Sequence, residues 1–594
     1  MPENAKAGQS AKRLFGALAL LVSFGLAATA CTASPPTSPS AAGADAGTPQ
    51  RGGAITVLLD AGFAGGWATG LDPATSNTVG ANLSQMSAIY GGLFVLNADK
   101  DGKNGRIEPT QAESFKYSSD GLTLTIKLRS GMTFSDGTPV NADAVLWNWV
   151  RDLDSGSTSA PTNVLLARNM KPKISSELKQ SILDALPAGY DPVKVEQDMG
   201  AIVPVDDLTV EVHFSAVNAT FINGLPGTNL NWLASPTAYK KLGAAAFKVT
   251  PVGAGPFTIA SNTMSQKLAL ERNPHYFKSG LPYLDKLTFQ SVTGDQVAYQ
   301  TLQAGQADAI EGLSTVSLIT KAQSNPDLQV TLIPPTSPYV IQLNTRMAPF
   351  DNIKAREAIY YATDWAAINK GVFNGNGEPS ESFTASAGLF YTPKVPGYRT
   401  FDLAKAKALV QELGGLKIVL NTISTGVAPV VVTALQTQWK KAGIDVELKT
   451  QALGDLISTF ISGQWQSFLQ TAGAWDPATG IGVGVRFGST SPFSGTPLPK
   501  GAANAKDALK QRLTTHLDDL LASAAGTLDV AKRGDLYKQV AQIISDEAYA
   551  PFGFAFSPAE IVRKGVHGPG LTTPIPAVAV NTGILYDQVW VSKK

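Results

Sequence analysis

The stretch Ser114–Trp149, SFKYSSDGLTLTIKLRSGMTFSDGTPVNADAVLWNW, constrains the fold of this chain more than any other. Leu122, Leu124, Ile126 and Leu128 alternate with Thr123, Thr125 and Lys127, the period of two that predicts a strand with one buried face. Asp120-Gly121 before it and Ser135-Asp136-Gly137 after it are turn signals. Asn141 can then cap a helix on which Ala142, Val145, Leu146, Trp149 and Val150 share one stripe. Turn, strand, turn and amphipathic helix suit any domain that mixes helix and sheet, so the remaining chain must decide between folds.

At 594 residues the chain exceeds what one core can serve, and two to four domains are expected. A hydrophobic fraction of 44% and a charged fraction of 16% describe a globular protein. Residues 1–30 hold Lys6, Lys12 and Arg13 against Glu3, so the rest of the chain balances at −1 and carries no basic footprint for nucleic acid. One cysteine excludes an intrachain disulfide. Its position is informative. Lys12-Arg13 forms a basic start, Leu14–Ala28 an apolar run, and Cys31 follows Ala28-Thr29-Ala30. This predicts a signal peptide over 1–30 ending in a lipobox, with Ala28 where Leu is usual, and a lipidated Cys31. Residues 31–51 are mostly Ser, Pro, Thr, Ala and Gly and predict a disordered tether. No later apolar run is long enough to span a bilayer.

Taken in order, the rest of the chain supplies further blocks. Gly52–Leu59 opens the folded body as a buried strand, followed by Leu71-Asp72-Pro73 and by Tyr90-Gly91-Gly92-Leu93. Leu208, Val210, Val212 and Phe214 alternate as a second strand of the early domain, while Pro161, Pro172, Pro187 and Pro192 break the residues between into short helices. Then come Gly253-Ala254-Gly255-Pro256-Phe257, Arg272-Asn273-Pro274, Leu284-Asp285, and Leu302–Asp308. Arg356, Ala358, Ala362 and Asp364 follow, then Lys405–Gly414, Leu435–Lys449 and the amphipathic helix Ala531–Glu547. In this order the blocks, together with Asp120–Asp143, resemble the peptide-and-nickel family of extracellular solute-binding proteins that serve ABC importers. The resemblance covers residues 52–594.

That resemblance implies an α/β, two-lobe, hinge-bending fold of the type II periplasmic-binding kind, with an extra third domain. Lobe I would comprise 52–95, 227–313 and 550–594, the extra domain 96–226, and lobe II 314–549, with hinge strands near Glu311–Thr315 and Phe552–Phe556. A solute bridging both lobes would favour the closed form, which docks on a permease. The partners implied are a small solute, first of all a peptide, the permease subunits, and a membrane on whose outer face a monomeric protein is held through Cys31.

The residues themselves offer no catalytic or metal constellation. His213, His275, His516 and His567 are scattered, and neither a G-x-S-x-G elbow nor a clustered ligand set is present, so no enzyme activity, metal or cofactor is expected. In peptide-binding relatives a Trp and an Asp near a "DP" line the cleft, the Asp holding the peptide's ammonium; Trp475-Asp476-Pro477 is the matching place, in a shorter form. Trp67, Tyr339 and Asn344 complete the expected ligand set, at strand exits that face the cleft in relatives. Asn421–Trp439 contains no Arg, where dipeptide binders supply one for the carboxylate, which argues against a strict dipeptide ligand. A non-peptide solute such as an oligosaccharide or metal chelate is the alternative on the same fold. A secreted hydrolase or a wall-associated structural protein is the alternative outside it.

Replacing Cys31 tests the anchor. Each buried acyl methylene contributes about 0.8 kcal/mol to membrane retention. Cys31→Ala is therefore expected to move the protein from the membrane fraction into the medium, as read by fractionation and immunoblot; a variant that stays with the membrane removes lipidation from the account.

Overall fold

The alternating strand does form, at Thr123–Leu128, and Leu124, Ile126 and Leu128 are buried beneath it. It lies between Ala112–Tyr117 and Thr209–His213 in an antiparallel sheet that Ile202–Asp206 completes. Asn141 accepts from the Ala144 amide (3.0 Å) and starts the helix Ala142–Asp154, whose expected stripe is wholly buried. Trp149 from that stripe donates its indole N–H to the Leu230 carbonyl at 2.7 Å, which satisfies the one polar atom of a side chain with 0% exposure. These elements are the extra domain. The chain is a computed structural model that describes residues 47–60, 67, 69–76, 83–97, 106–154, 201–472, 480–491, 493–573 and 583–592. The signal peptide, the tether up to residue 46 with Cys31, the proline-broken stretch 155–200, Trp475 and Asp476 lie outside the described residues.

The first lobe is built on a seven-stranded sheet ordered Leu328–Leu332, Ala559–Arg563, Ala309–Leu313, Ala54–Asp60, Lys286–Val292, Lys267–Arg272, Phe257–Thr263. Ala54–Asp60 runs parallel to both of its neighbours, and the other pairings are antiparallel. The Gly-Ala-Gly of the sequence packs behind this sheet. A Cβ on Gly255 would lie 2.5 Å from the Ile89 carbonyl carbon, and one on Gly253 2.4 Å from the Ile89 oxygen. Only glycine permits that approach, so these glycines serve packing rather than a phosphate.

The second lobe holds the sheet Tyr339–Leu343, Ser467–Thr471, Leu416–Ile423, Ile444–Gln451. Its last two strands are parallel and joined by the helix Ala428–Lys441, a βαβ unit. The lobe boundary differs from the sequence expectation. Leu328–Leu332 pairs with Ala559–Arg563 in the first sheet, and the helix Val316–Gln323 packs with Leu58 and Tyr299. The first crossing is therefore Ile333–Pro338 rather than Glu311–Thr315. The return is Phe556–Pro558, since Phe554–Ala555 still pairs with Glu378-Pro379 of lobe II. The Ile333 amide donates to the Pro558 carbonyl (2.8 Å) and ties the two crossings together.

The extra domain is fixed to the first lobe by charge. Arg151 donates to Asp72 Oδ2 (2.6 Å) and Oδ1 (2.9 Å), both side chains being 2% exposed or less. The guanidinium also stacks on Trp147 (4.4 Å) and Tyr239 (4.1 Å). Removing one partner of a buried pair leaves the other charged in a low dielectric, at a cost of about 3–5 kcal/mol. Asp72→Ala is expected to lower stability by that amount in urea denaturation; a midpoint matching the wild type would show the pair to be incidental.

Candidate functional site

In open α/β sheets ligands bind in the crevice outside the carboxyl ends of the parallel strands. In the first lobe those ends are Asp60, Val292 and Leu313; in the second they are Ile423, Gln451 and Thr471. The two sets meet. Gly426 follows Ile423, and a Cβ placed on it would lie 3.7 Å from Ser314 Oγ, one residue past Leu313. Asp295 pins this corner by accepting from the Ser314 amide (3.0 Å), Ser314 Oγ (3.1 Å) and the Thr315 amide (2.6 Å). An open groove of about 420 Å³ lined by Lys407, Lys440 and Lys441 lies instead near the amino ends, beside Gly415 and Gly443. It therefore sits away from the crevice.

The expected ligand residues divide. Trp67 leaves the carboxyl end of Ala54–Asp60, but it is 0% exposed and donates its indole N–H to Asn262 Oδ1 at 2.9 Å. It belongs to the first-lobe core and offers no face to a solute, a correction to the sequence expectation. Asn344 is likewise buried. Its side-chain amide donates to the Trp465 carbonyl (2.7 Å) and the Gly463 carbonyl (3.3 Å), so it holds the turn before Ser467–Thr471 rather than a ligand. Tyr339 opens the strand beside the crossing and is half-buried, its ring against Phe554 (5.7 Å) and Phe373 (5.9 Å); burial pushes its phenol well up. The segment carrying Trp475 and Asp476 leaves the carboxyl end of Ser467–Thr471, the strand paired with Tyr339–Leu343.

The family-matching residues mostly hold parts together. Burial works against the Asp136 carboxylate, yet hydrogen bonds from Ser235 and Thr138 keep it below its ordinary range. Ser235 in turn caps the helix Pro236–Phe247 by accepting from Ala238 (3.1 Å), so Asp136 docks the extra domain on the first lobe. Arg356 donates to the carbonyls of Phe350 (2.8 Å) and Glu547 (3.0 Å), and Asp364 caps Trp365–Phe373.

Sequence reasoning missed the closure contacts. The extra domain meets the second lobe directly: the Ala219 amide donates to the Ala525 carbonyl (2.7 Å), and Arg533 Nη1 donates to the Ala219 carbonyl (2.7 Å). Val485 of the second lobe lies in the extra domain's core cluster, with Phe493 packed on its edge. Arg533 sits in the amphipathic helix Val530–Asp546 yet is buried, and a buried arginine on a stripe of apolar residues was the available signal. Arg486, inside the otherwise apolar run Gly480–Phe487, is buried too, and burial pulls its guanidinium down to about 9. The lobes therefore touch both at the hinge corner, at Gly426 and Ser314, and at the far rim, at Ala219, Ala525 and Arg533.

Residues 106–492 match the profile of bacterial extracellular solute-binding proteins, family 5. The chain belongs to this family. As a family 5 solute-binding protein it is 29% identical over 491 residues to the glutathione-binding protein GsiB of Shigella flexneri serotype 5b, covering 81% of this chain and 85% of that one. It is 28% identical to GsiB of Escherichia coli K12, with the same coverage. The fold is that of the E. coli murein tripeptide binding protein MppA (TM-score 0.71, 20% identity, 92% of this chain and 99% of the other). It is also that of AgaA from A. tumefaciens R10 bound to agropinic acid (TM-score 0.71, 22% identity, 91% and 99%) and of Haemophilus influenzae OppA bound to RPPGFSPFR (TM-score 0.68, 19% identity, 92% and 100%). These likenesses bear out the two-lobe α/β expectation. Among the described residues no helix is long and apolar enough to cross a membrane, and no cluster of three His, Cys, Asp or Glu is present.

The rim contact makes a prediction for this solute-binding protein. A hydrogen bond to a charged group contributes about 1.5–3 kcal/mol. Arg533→Met keeps the apolar stem and removes the bond to Ala219. Its closed form should be disfavoured, giving a larger radius of gyration in small-angle scattering and roughly ten- to a hundredfold weaker solute affinity. Equal radius and affinity would mean that the rim does not govern closure.

Proposed function

We propose that this protein captures a short peptide between its two lobes and delivers it to the permease of an ABC importer. We further infer that it acts as a monomer outside the cytoplasm, held to the outer face of the cell membrane by lipidated Cys31. The observation that carries the reading is the pairing of Ser467–Thr471 with the strand that enters the second lobe, Tyr339–Leu343. The carboxyl end of Ser467–Thr471 lies on the crevice side of the sheet, and Trp475 and Asp476 follow it in the sequence. Asp476 takes the ammonium of the solute, Trp475 forms a wall, and Tyr339 adds an aromatic edge beside the hinge. Trp67 and Asn344 stiffen the walls from behind.

The curated relatives named for glutathione, itself a small peptide, support this choice of chemistry, as do the structural neighbours named for tripeptide and nonapeptide ligands. The neighbour that holds agropinic acid favours a second reading, a small amino-acid conjugate in the same cleft. Both solutes present charged groups to a closed cleft, where charge-assisted bonds are strong.

Native mass spectrometry of the purified protein identifies a co-purified solute and separates the readings by mass. Calorimetric titration of Asp476→Ala with that solute then tests the anchor. Losing a charge-assisted bond and stranding the ammonium should weaken binding by roughly ten- to a hundredfold, since about 1.4 kcal/mol is tenfold. Unchanged affinity would reduce Asp476 to a turn residue and remove the amine-anchored peptide from the account.

A further inference from the structure

Two buried glutamates sit at the base of the hinge. Ala309–Leu313 and Ala559–Arg563 run antiparallel, with Ala309 opposite Val562 and Ile310 opposite Ile561. The register shifts after Ile310, so that Leu313 is opposite Ala559 and the extra residue leaves Glu311 with Gly312 against Glu560. Ala309 and Val562 face one core and Ile310, Ile561, Leu313 and Ala559 the other, which puts Glu311 and Glu560 together on the first face. Glu311 is 8% exposed and Glu560 is 0% exposed. The pair adjoins both crossings. Leu332, which leads out of the lobe, is opposite Ala559, and Thr331 is opposite Glu560.

Their hydrogen bonding is unequal. Glu311 accepts from Ser84 Oγ (2.5 Å) and from the Tyr586 hydroxyl (3.1 Å). Ser84 Oγ itself accepts from the Ile584 amide (3.0 Å). Neither oxygen of Glu560 completes a hydrogen bond, though the Gly312 amide approaches it. No cation faces them among the described residues. The helix Leu83–Tyr90 presents Ser84, while its Tyr90 hydroxyl is turned to the Leu71 carbonyl. Strand Leu328–Leu332 presents Thr331, bonded to the Leu571 carbonyl. Strand Ala54–Asp60 ends in Asp60, a further negative group. From the turn at Tyr586, Asp587 is taken by Lys278 and Tyr276. Arg563, at the far end of the Glu560 strand, lies beside Gly305. The flanking segments 61–66, 77–82 and 574–582 contain no ionisable side chain.

Two carboxylates side by side across a ladder repel, and an unpaired buried charge is expelled from a low dielectric. A neutral acid facing a carboxylate removes the repulsion and leaves a single charge, which the acid's own proton and the hydroxyls of Ser84 and Tyr586 can solvate. We propose that Glu311 and Glu560 form a proton-binding site, in which one proton shared by the two carboxyls holds the base of the hinge together and its loss loosens the strands that carry the lobes. Burial pushes Glu311 up to about 7, and burial with the charge of Glu311 pushes Glu560 well above the carboxylate range. An unfolded glutamate titrates near about 4.3. Both folded values lie above the unfolded one, so the stabilisation is complete in acid. Glu311 gives up its proton as pH rises through about 7, which leaves the shared proton on the pair, and that proton is lost only at the higher pH to which Glu560 is pushed.

Thermal unfolding followed from about pH 6 to about pH 9 tests the site in wild type and in Glu560→Gln, whose amide stands in for the neutral acid. The melting temperature of the wild type should fall across that range by several degrees more than that of the variant, and the variant should be the more stable at the alkaline end. The infrared difference between the two near neutral pH should show a carboxylic-acid C=O band; subtraction removes the contribution of Asp152, which burial also pushes up. Glu311→Gln serves the same comparison if Glu560→Gln does not fold. Parallel pH profiles, or no acid band, would overturn the proposal. So would a stabilisation of wild type alone by calcium or sodium at alkaline pH, which would make the occupant a metal ion.

Discussion

The buried pair between Arg151 and Asp72 is the constraint on which the rest of the architecture rests. Arg151 belongs to the extra domain's helix, and Asp72 to the segment between strand Ala54–Asp60 and helix Leu83–Tyr90 of the first lobe. A charge pair taken out of water is stable only if geometry holds both partners, and here two hydrogen bonds and two aromatic faces do so. Asp136 adds a second polar contact of a different kind, an exposed carboxylate held below its ordinary range by hydrogen bonds from Ser235 and Thr138. Two polar locks make the extra domain and first lobe one body. Motion is then confined to the places where the chain passes into the second lobe.

Those places are narrow. The crossings Ile333–Pro338 and Phe556–Pro558 are tied by one backbone hydrogen bond and are rich in proline, whose ring removes a donor and fixes φ. On either side of them the sheets are continuous. A hinge of this kind rotates rigid bodies, and the rotation is read out wherever their far surfaces touch. In this chain they touch at Ala219, Ala525 and Arg533, well away from the hinge in sequence.

Much of the fold was legible because the signals were local. Leu124, Ile126 and Leu128 alternate whatever surrounds them, and Asn141 caps its helix from within four residues. The glycines at Gly253 and Gly255 were legible as close approaches, although their partner, Ile89, was not. The hinge was misplaced because Leu328–Leu332 is a short edge strand whose membership depends on a partner more than two hundred residues later. The site was the least legible. Trp67 and Asn344 look like cleft residues from their places at strand ends, and only the partners Asn262 and Trp465 show that they are taken up by the core. Asp136, Arg356 and Asp364, the residues that announce the family, act as joints and caps. Family membership was therefore readable from architecture, while solute identity was not.

The same division bears on how capture works. A ligand moves an equilibrium only by its difference in affinity for the two states, and taking a population from 1:99 to 99:1 needs about 5.5 kcal/mol. Among the described residues the rim contact includes the hydrogen bonds of Ala219 with Ala525 and Arg533 and the packing of Val485 and Phe493 on the extra domain's core. At about 0.5–1.5 kcal/mol for the neutral bond and about 1.5–3 for the charged one, the two hydrogen bonds by themselves lie near or below that threshold once the entropy of closure is set against them. Closure is thus left to the solute, and a rim much stronger than this would shut the cleft empty. The buried Arg151–Asp72 pair faces no such limit, because it lies within one body. This explains why the strong interactions of the chain lie within the bodies and the weak ones between them.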